Sequence, residues 1–339
     1  MKNKRPYDLS GIFLETFVGW LKSIFIKKKD SQFPAHVGNF KFLRKLEKIG
    51  PRKSYSLALY QNTIGKKAIA KMKSSQIKGY HYYSLLNEIA LFEILNSTVE
   101  RIGNKMPNNF KDIYIPKLID TYEDEKILVS LVEFVEGNVT ENFSPEKKIN
   151  LYFKMVDFLQ YIGEKFTLAE KAKISQRTAG HYLFLYPFLV VKAMVTYPES
   201  IPYVLQGVSK FIPRIPVIIK ESKLSLVHRD LHFMNIIKMK NMFALVDFQQ
   251  TVFTEPLHEL ITTLRYWWKV DRIEEFGQLL MRQIVRRYSS RKNFRELFQA
   301  YTINSVTHGL TGAGFSQKII SGWIDFLKFG LNPHFEKYQ

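Results

Sequence analysis

Three oxygen-bearing side chains stand at a telling spacing: Asp230, Asn235 five residues on, and Asp247 twelve residues after that. They belong to Leu226-Val-His-Arg-Asp-Leu-His-Phe-Met-Asn-Ile-Ile237 and Ala244-Leu-Val-Asp-Phe-Gln249, where short β-branched, apolar runs flank them. Taken singly, each is also an ordinary turn residue. Together, in this order, they match what phosphoryl transfer requires: one carboxylate for the acceptor hydroxyl and two oxygen ligands for magnesium. Asp230 suits the acceptor end, because a carboxylate on a tight loop after a strand over Leu224–Val227 can take the proton of an incoming hydroxyl. Magnesium prefers hard oxygen donors and keeps waters, so the Asn235 amide oxygen and the Asp247 carboxylate, with phosphate oxygens, suit its shell. The runs Ile236–Met239 and Phe243–Val246 around Lys240-Asn241 predict a hairpin. That hairpin returns Asn235 and Asp247 to the same end. His228 reads as a packed scaffold residue, and His232 either packs the loop or contacts substrate or phosphate.

These residues need a cation on the nucleotide phosphates, held in place by a carboxylate. Gly65–Met72 reads as a strand after a turn, with Ile69 and Lys71 on one face, so Lys71 is the expected cation. Lys66, Lys67 and Lys73 read as solvated strand lysines. Seventeen residues after Lys71, Glu88 lies in a helix predicted over Tyr82–Ile102, in which Leu85, Ile89 and Phe92 recur with Leu86 and Leu95 on the adjacent row. Glu88 is the expected partner of Lys71, although Glu93 and Glu100 share the helix. Between strands predicted at Phe40–Ile49 and Tyr55–Tyr60, Gly50-Pro-Arg-Lys-Ser54 stands where a phosphate-covering loop belongs, with a single glycine.

Together these residues resemble the kinase-like superfamily, and within it the small-molecule branch: aminoglycoside phosphotransferases, choline kinases and lipopolysaccharide core kinases. The resemblance spans residues 40–270 and is carried by Val227-His-Arg-Asp-Leu-His-x-x-Asn235 and Val246-Asp-Phe-Gln249. That branch typically shows glycine where Arg229 stands, and here the chain looks more like a protein kinase. His232, where protein kinases carry lysine, Gln249 in place of the Asp-Phe-Gly glycine, and the lack of an Ala-Pro-Glu element point back to the small-molecule branch. Glu255-Pro-Leu-His-Glu-Leu260 resembles its Asp-Pro-x-x-Asp-Leu stretch, with Glu for Asp at both ends. Val132-Glu-Phe-Val-Glu-Gly137 resembles the connector that receives adenine through backbone groups, which implies Glu133 and Val135 as nucleotide contacts.

The resemblance implies an α+β, two-lobed protein-kinase-like fold. Residues 1–39 form an extension, 40–134 a small β-rich lobe with one helix, and 135–339 a larger, mostly helical lobe that binds the acceptor. The implied activity is ATP- and magnesium-dependent phosphorylation of a hydroxyl on a small molecule, sugar or glycolipid. A protein kinase and a catalytically inactive kinase-fold binding protein are the alternatives. Helices are predicted at Lys147–Lys165, Phe276–Tyr288, Phe294–Val306 and Ile319–Phe329. Residues 167–222 carry many aromatics and five prolines, either shaping the acceptor site as in the resembling families or packing a helical subdomain.

At 339 residues the chain can bury a large core, and it shows no internal repeat. The absence of cysteine excludes disulfides and thiolate metal sites and agrees with a reducing interior. No secretory signal is read at the N-terminus, and the apolar stretch Tyr182–Tyr197, with Pro187 and Lys192, reads as too short to span a bilayer. A cytoplasmic protein is expected. Fifty Lys and Arg against 31 Asp and Glu give a net charge of +19, but no nucleic-acid motif accompanies it, so no nucleic-acid partner is expected. Leu9–Ile26 puts Phe13, Phe17, Leu21 and Ile24 on one helical face, with Lys27-Lys-Lys29 directly after. Residues 9–29 therefore read either as a peripheral contact with the anionic inner face of a membrane or as a helix docked on the small lobe or on a second subunit.

Overall fold

The computed structural model describes residues 32–46, 56–75, 80–268, 274–312 and 315–338. The amphipathic segment at 9–29 and the basic turn at 50–54 lie outside the described residues. The chain divides into two compact units, one of residues 1–141, 154–175 and 228–252, the other of 142–153, 176–227 and 253–339.

The first unit holds an antiparallel six-stranded sheet built from β1 (His36–Val37), β2 (Phe40–Leu46), β3 (Ser56–Asn62), β4 (Lys67–Ser74), β6 (Leu118–Glu123) and β7 (Ile127–Glu133). Its order is β1-β2-β3-β4-β7-β6. Period-two alternation sorts β4 cleanly: Ala68, Ala70 and Met72 enter a core with Tyr60, Val129 and Leu131. Ile69, Lys71 and Lys73 take the other face. Helix α1 (Tyr80–Ile102) packs over β4 and β7, with Tyr82, Leu85 and Ile89 against Leu128. That cover corrects one expectation. Lys66 and Lys67 are exposed, but Lys73 is buried, because its register partner is Leu128 on the helix-covered side.

The far end of α1 is tied to the short helix α3 (Leu168–Lys171), which follows α2 (Pro145–Glu164). Arg101 donates to both Glu170 carboxylate oxygens, at 3.0 and 3.1 Å, and Glu170 also completes a capping box with Thr167. The Arg101 guanidinium holds the Glu170 carboxyl down at about 2. A depressed carboxyl stabilises the fold fully above its ordinary value of 4.5 and loses that contribution as pH falls toward 2. Glu170→Gln is therefore expected to lower stability at pH 7 and to flatten its loss between those limits, so that variant and parent converge near pH 2, as read by denaturant titration across pH.

A second, four-stranded sheet in the first unit has the order β5-β11-β10-β8, from β5 (Ile113–Tyr114), β8 (Asn138–Val139), β10 (Ile236–Lys238) and β11 (Phe243–Leu245). The predicted hairpin is its centre: β10 and β11 pair antiparallel from Ile236–Leu245 to Lys238–Phe243. Gly137 lets the connector approach this hairpin, since a Cβ there would overlap the Lys238 carbonyl oxygen.

The second unit is mostly helical: α4 (Ala179–Thr196), α5 (Ile201–Phe211), α6 (Ile215–Glu221), the strand β9 (Ser225–Val227), and α7 (Pro256–Trp267), α8 (Glu274–Tyr288), α9 (Phe294–Gly309) and α10 (Gln317–Leu331). β12 (Val252–Thr254) runs into α7. Three of these helices extend the predicted ones at Phe276, Phe294 and Ile319 by two or three residues at an end. Helix α4 differs more. It begins earlier than the apolar stretch read from sequence, accommodates Pro187 internally, and reaches a length and apolarity sufficient in principle to cross a membrane.

Glu255 shows why a Glu-Pro start to α7 is useful. Its buried carboxylate accepts from the Leu257 N–H at the helix N-terminus, from the Lys223 N–H, and from both Arg291 amino groups at 2.8 and 3.0 Å. Glu255→Ala leaves the Arg291 charge in a largely buried site. The expected loss is about 3–5 kcal/mol of unfolding free energy, measured by denaturant titration. A change within experimental error would mean that Arg291 finds water when its partner is gone.

Candidate active site

The predicted pairing is present: Lys71 Nζ lies 2.7 Å from Glu88 Oε1. The same ammonium lies 2.7 Å from Asp247 Oδ1, 176 residues further along the chain. Of the three candidate glutamates on α1, Glu88 is fully buried while Glu93 and Glu100 are exposed. The helix face that packs on the sheet therefore makes the choice. The Phe248 N–H also donates to Glu88 Oε1 at 3.0 Å, so one carboxylate gathers a strand lysine and the residue following Asp247. Burial pushes the Glu88 carboxyl up; the Lys71 charge opposes this and the Asp247 charge adds to it.

Asp247 itself is left-handed, at φ 65 and ψ 61. This sharp reversal ends β11 and turns the Asp247 side chain toward Lys71 while the next N–H reaches Glu88. Across the hairpin, Asn235 is held on three sides. Its N–H donates to the His232 carbonyl at 2.9 Å, and its carbonyl accepts from Val246 N–H at 3.0 Å. Its amide nitrogen donates to the Asp230 carbonyl at 2.9 Å. With the nitrogen so committed, the amide oxygen is the end left for a ligand. Among the described residues no group of three His, Asp or Glu gathers at one point. Asn235 and Asp247 thus offer two hard oxygens and leave further positions to phosphate and water, a donor set that suits magnesium.

Asp230 sits on the loop after β9, its side chain half exposed and 3.9 Å from His232 Nε2. The residue before it, Arg229, has φ 61. That left-handed conformation is the one glycine adopts without strain, which explains why the resembling families place glycine there. His228 takes the scaffold position expected of it. It is buried, its Nε2–H donates to the Val246 carbonyl at 3.0 Å, and its ring lies 5.2 Å from that of Phe248. Burial pushes the His228 imidazole down, against the pull of the Asp230 and Asp247 charges, which favours the neutral ring.

The connector residues behave unequally. The Glu133 N–H donates to the Lys117 carbonyl, and its carboxylate accepts from Tyr114 Oη–H and from the Lys117 N–H. Its side chain therefore braces the small sheet. Val135 lies between β7 and β8 in irregular backbone, where its polar groups are outside the strand ladder.

Sequence reasoning missed Asn87. From α1 it donates to the Thr251 carbonyl at 2.8 Å and accepts from the Ser175 N–H at 3.0 Å. Nothing in the pattern marks it, because an Asn one position before Glu88 reads as a surface residue. Left-handed Asp247 was equally invisible, whereas the glycine of the resembling families marks position 229.

A family model described as the phosphotransferase enzyme family matches residues 107–294, more than half the chain and all of the Asp230–Asp247 region. The chain belongs to this family. No curated protein matches this phosphotransferase in sequence. Solved structures share its fold. A thermostable mutant of the aminoglycoside phosphotransferase APH(4)-Ia, in ternary complex with ADP and hygromycin B, is 13% identical with a TM-score of 0.55 over 87% of this chain and 92% of that one. Amicoumacin kinase hAmiN, in complex with AMP-PNP, Ca2+ and Ami, is 13% identical with a TM-score of 0.54 over 96% of both chains. The α+β kinase-like fold expected from the sequence, with its β-rich sheet and larger helical part, is the one observed.

Proposed function

We propose that this phosphotransferase moves the γ-phosphoryl group of ATP to a hydroxyl of a small molecule, sugar or glycolipid. The observation that carries the reading is Lys71 Nζ at 2.7 Å from both Glu88 and Asp247, at the end of the hairpin where Asn235 also stands. A buried carboxylate fixes the cation where nucleotide phosphates need it, and Asp247 and Asn235 supply hard oxygens beside it. Solved structures of the same fold hold ADP with hygromycin B and AMP-PNP with Ami, which supports a nucleotide and a small-molecule acceptor here.

In this reading the Asp230 carboxylate accepts the proton of the acceptor hydroxyl as its oxygen bonds to phosphorus and the bond to the ADP oxygen breaks. Lys71 balances charge on the phosphates. Asn235 and Asp247 would hold magnesium, which neutralises charge on the phosphate oxygens when bound. The Val135 backbone and the Glu133 carbonyl are the adenine contacts, while the Glu133 side chain keeps the connector in place. ATP as donor and a chain without cysteine fit a cytoplasmic setting.

The test is an ATP-consumption screen of fractionated polar metabolites and lipid extracts with magnesium, followed by mass measurement of the product. A phosphomonoester formed on a small hydroxyl compound supports the proposal. Phosphate appearing only on peptides, or none on any fraction, would sink it.

A further inference from the structure

Asn87 and Glu88 are neighbours on α1, and they hold opposite ends of one turn. Glu88 Oε1 accepts from the Phe248 N–H at 3.0 Å, at the start of the turn that follows Asp247. Asn87 Nδ2 donates to the Thr251 carbonyl at 2.8 Å, at its end. The turn is closed on itself, since the Thr251 N–H donates to the Phe248 carbonyl at 3.0 Å. Beside it the Phe248 ring meets that of Phe92, one helical turn after Glu88, with centroids 5.2 Å apart. All of these residues belong to the first unit.

The direction of the Asn87 amide follows from its partners. Its Oδ1 accepts from the Ser175 N–H at 3.0 Å. Turning the amide over would set its NH2 against that N–H and its oxygen against the Thr251 carbonyl. Asn87 is 3% exposed and Thr251 is fully buried, so water does not compete for the bond between them. Asp247, just before the turn, has φ 65. For a residue with a Cβ that conformation costs energy and persists only where the surroundings impose it. The bond at Phe248 fixes one point about which the turn can still pivot. The bond at Thr251 removes that freedom.

We propose that Asn87 is a positioning residue for the divalent cation of this site. It holds the Phe248–Thr251 turn at its far end, keeps Asp247 left-handed, and so sets where the Asp247 carboxylate stands. Asn87 acts through backbone groups and not on the reacting atoms. The inference rests on the proposed function, in which Asp247 is a metal ligand.

The experiment measures the affinity of the full chain for AMP-PNP by calorimetry, once with magnesium and once with EDTA. The parent should bind more tightly with magnesium, and the ratio of the two affinities is the magnesium gain. Asn87→Leu, similar in size and without polar atoms, is expected to cut that gain roughly ten- to a hundredfold, as when a partner orienting a metal ligand is removed. Its affinity in EDTA should match the parent. Asn87→Ala carries the test if the leucine variant does not fold. Water can then replace part of the bonding, and the gain should fall by about threefold or more. Arg101→Ala is the control: it frees α1 from Glu170 and from the Lys165 carbonyl, about 21 Å along the same helix. It should lower the melting temperature and leave the magnesium gain intact. An unchanged gain in every folded Asn87 variant, an equal loss of affinity in EDTA, or an equal loss of gain in Arg101→Ala would each overturn the inference and leave the proposed function standing. No gain in the parent would overturn the proposed function, and the inference with it.

Discussion

Asp230→Asn is expected to reduce turnover by roughly two to four orders of magnitude, the usual contribution of a positioned general base. Nucleotide affinity should stay within a few-fold of the parent. The two expectations separate because, under the proposed function, Asp230 serves the acceptor and Lys71, Asn235 and Asp247 serve the nucleotide. Stability should hardly move: the Asp230 side chain is half exposed, and the bond that shapes its loop, from the Asn235 amide, goes to its backbone carbonyl. Substitutions of that kind typically shift unfolding by no more than about 0.5 kcal/mol. Steady-state turnover, nucleotide titration by calorimetry and a melting curve check the three parts together. A variant that keeps most of its turnover would show that another group receives the proton.

Lys71→Met has consequences on two levels. Its ammonium sits between two carboxylates at 2.7 Å, one of them fully buried. Removing it leaves Glu88 without its cation in a desolvated site, which typically costs about 3–5 kcal/mol unless the carboxyl takes up a proton. Removing an electrostatic group from a transferring phosphate also lowers the rate, here by roughly two to four orders of magnitude. The double variant Lys71→Met with Glu88→Gln divides these effects, since a neutral amide tolerates the loss of the ammonium. Stability should largely return while activity does not. Recovery of both would mean that Lys71 only maintains the fold, and Lys67→Ala, on an exposed lysine of the same strand, is the control that should leave both unchanged.

The chemistry of this site was legible in the sequence because its parts are local. Asp230, Asn235 and Asp247 lie within eighteen residues, and the apolar runs around Lys240-Asn241 imply the hairpin that brings two of them together. Period-two alternation in β4 put Lys71 on a face, and helical spacing in α1 put Glu88 near it. What local patterns could not convey is which of several equivalent groups a packed surface selects. Glu88 over Glu93 and Glu100, and buried Lys73 beside exposed Lys66 and Lys67, were decided by where α1 lies on the sheet. The bond from Lys71 to Asp247 joins residues 176 positions apart, and the left-handed turn at Asp247 that permits it leaves no trace in residue type. Sequence alone therefore determined the chemistry and the elements bearing it, since both follow from short-range spacing and periodicity. Tertiary packing alone decided the partners, because burial strips water from one member of each equivalent set and compels it to find a counter-charge or hydrogen bond.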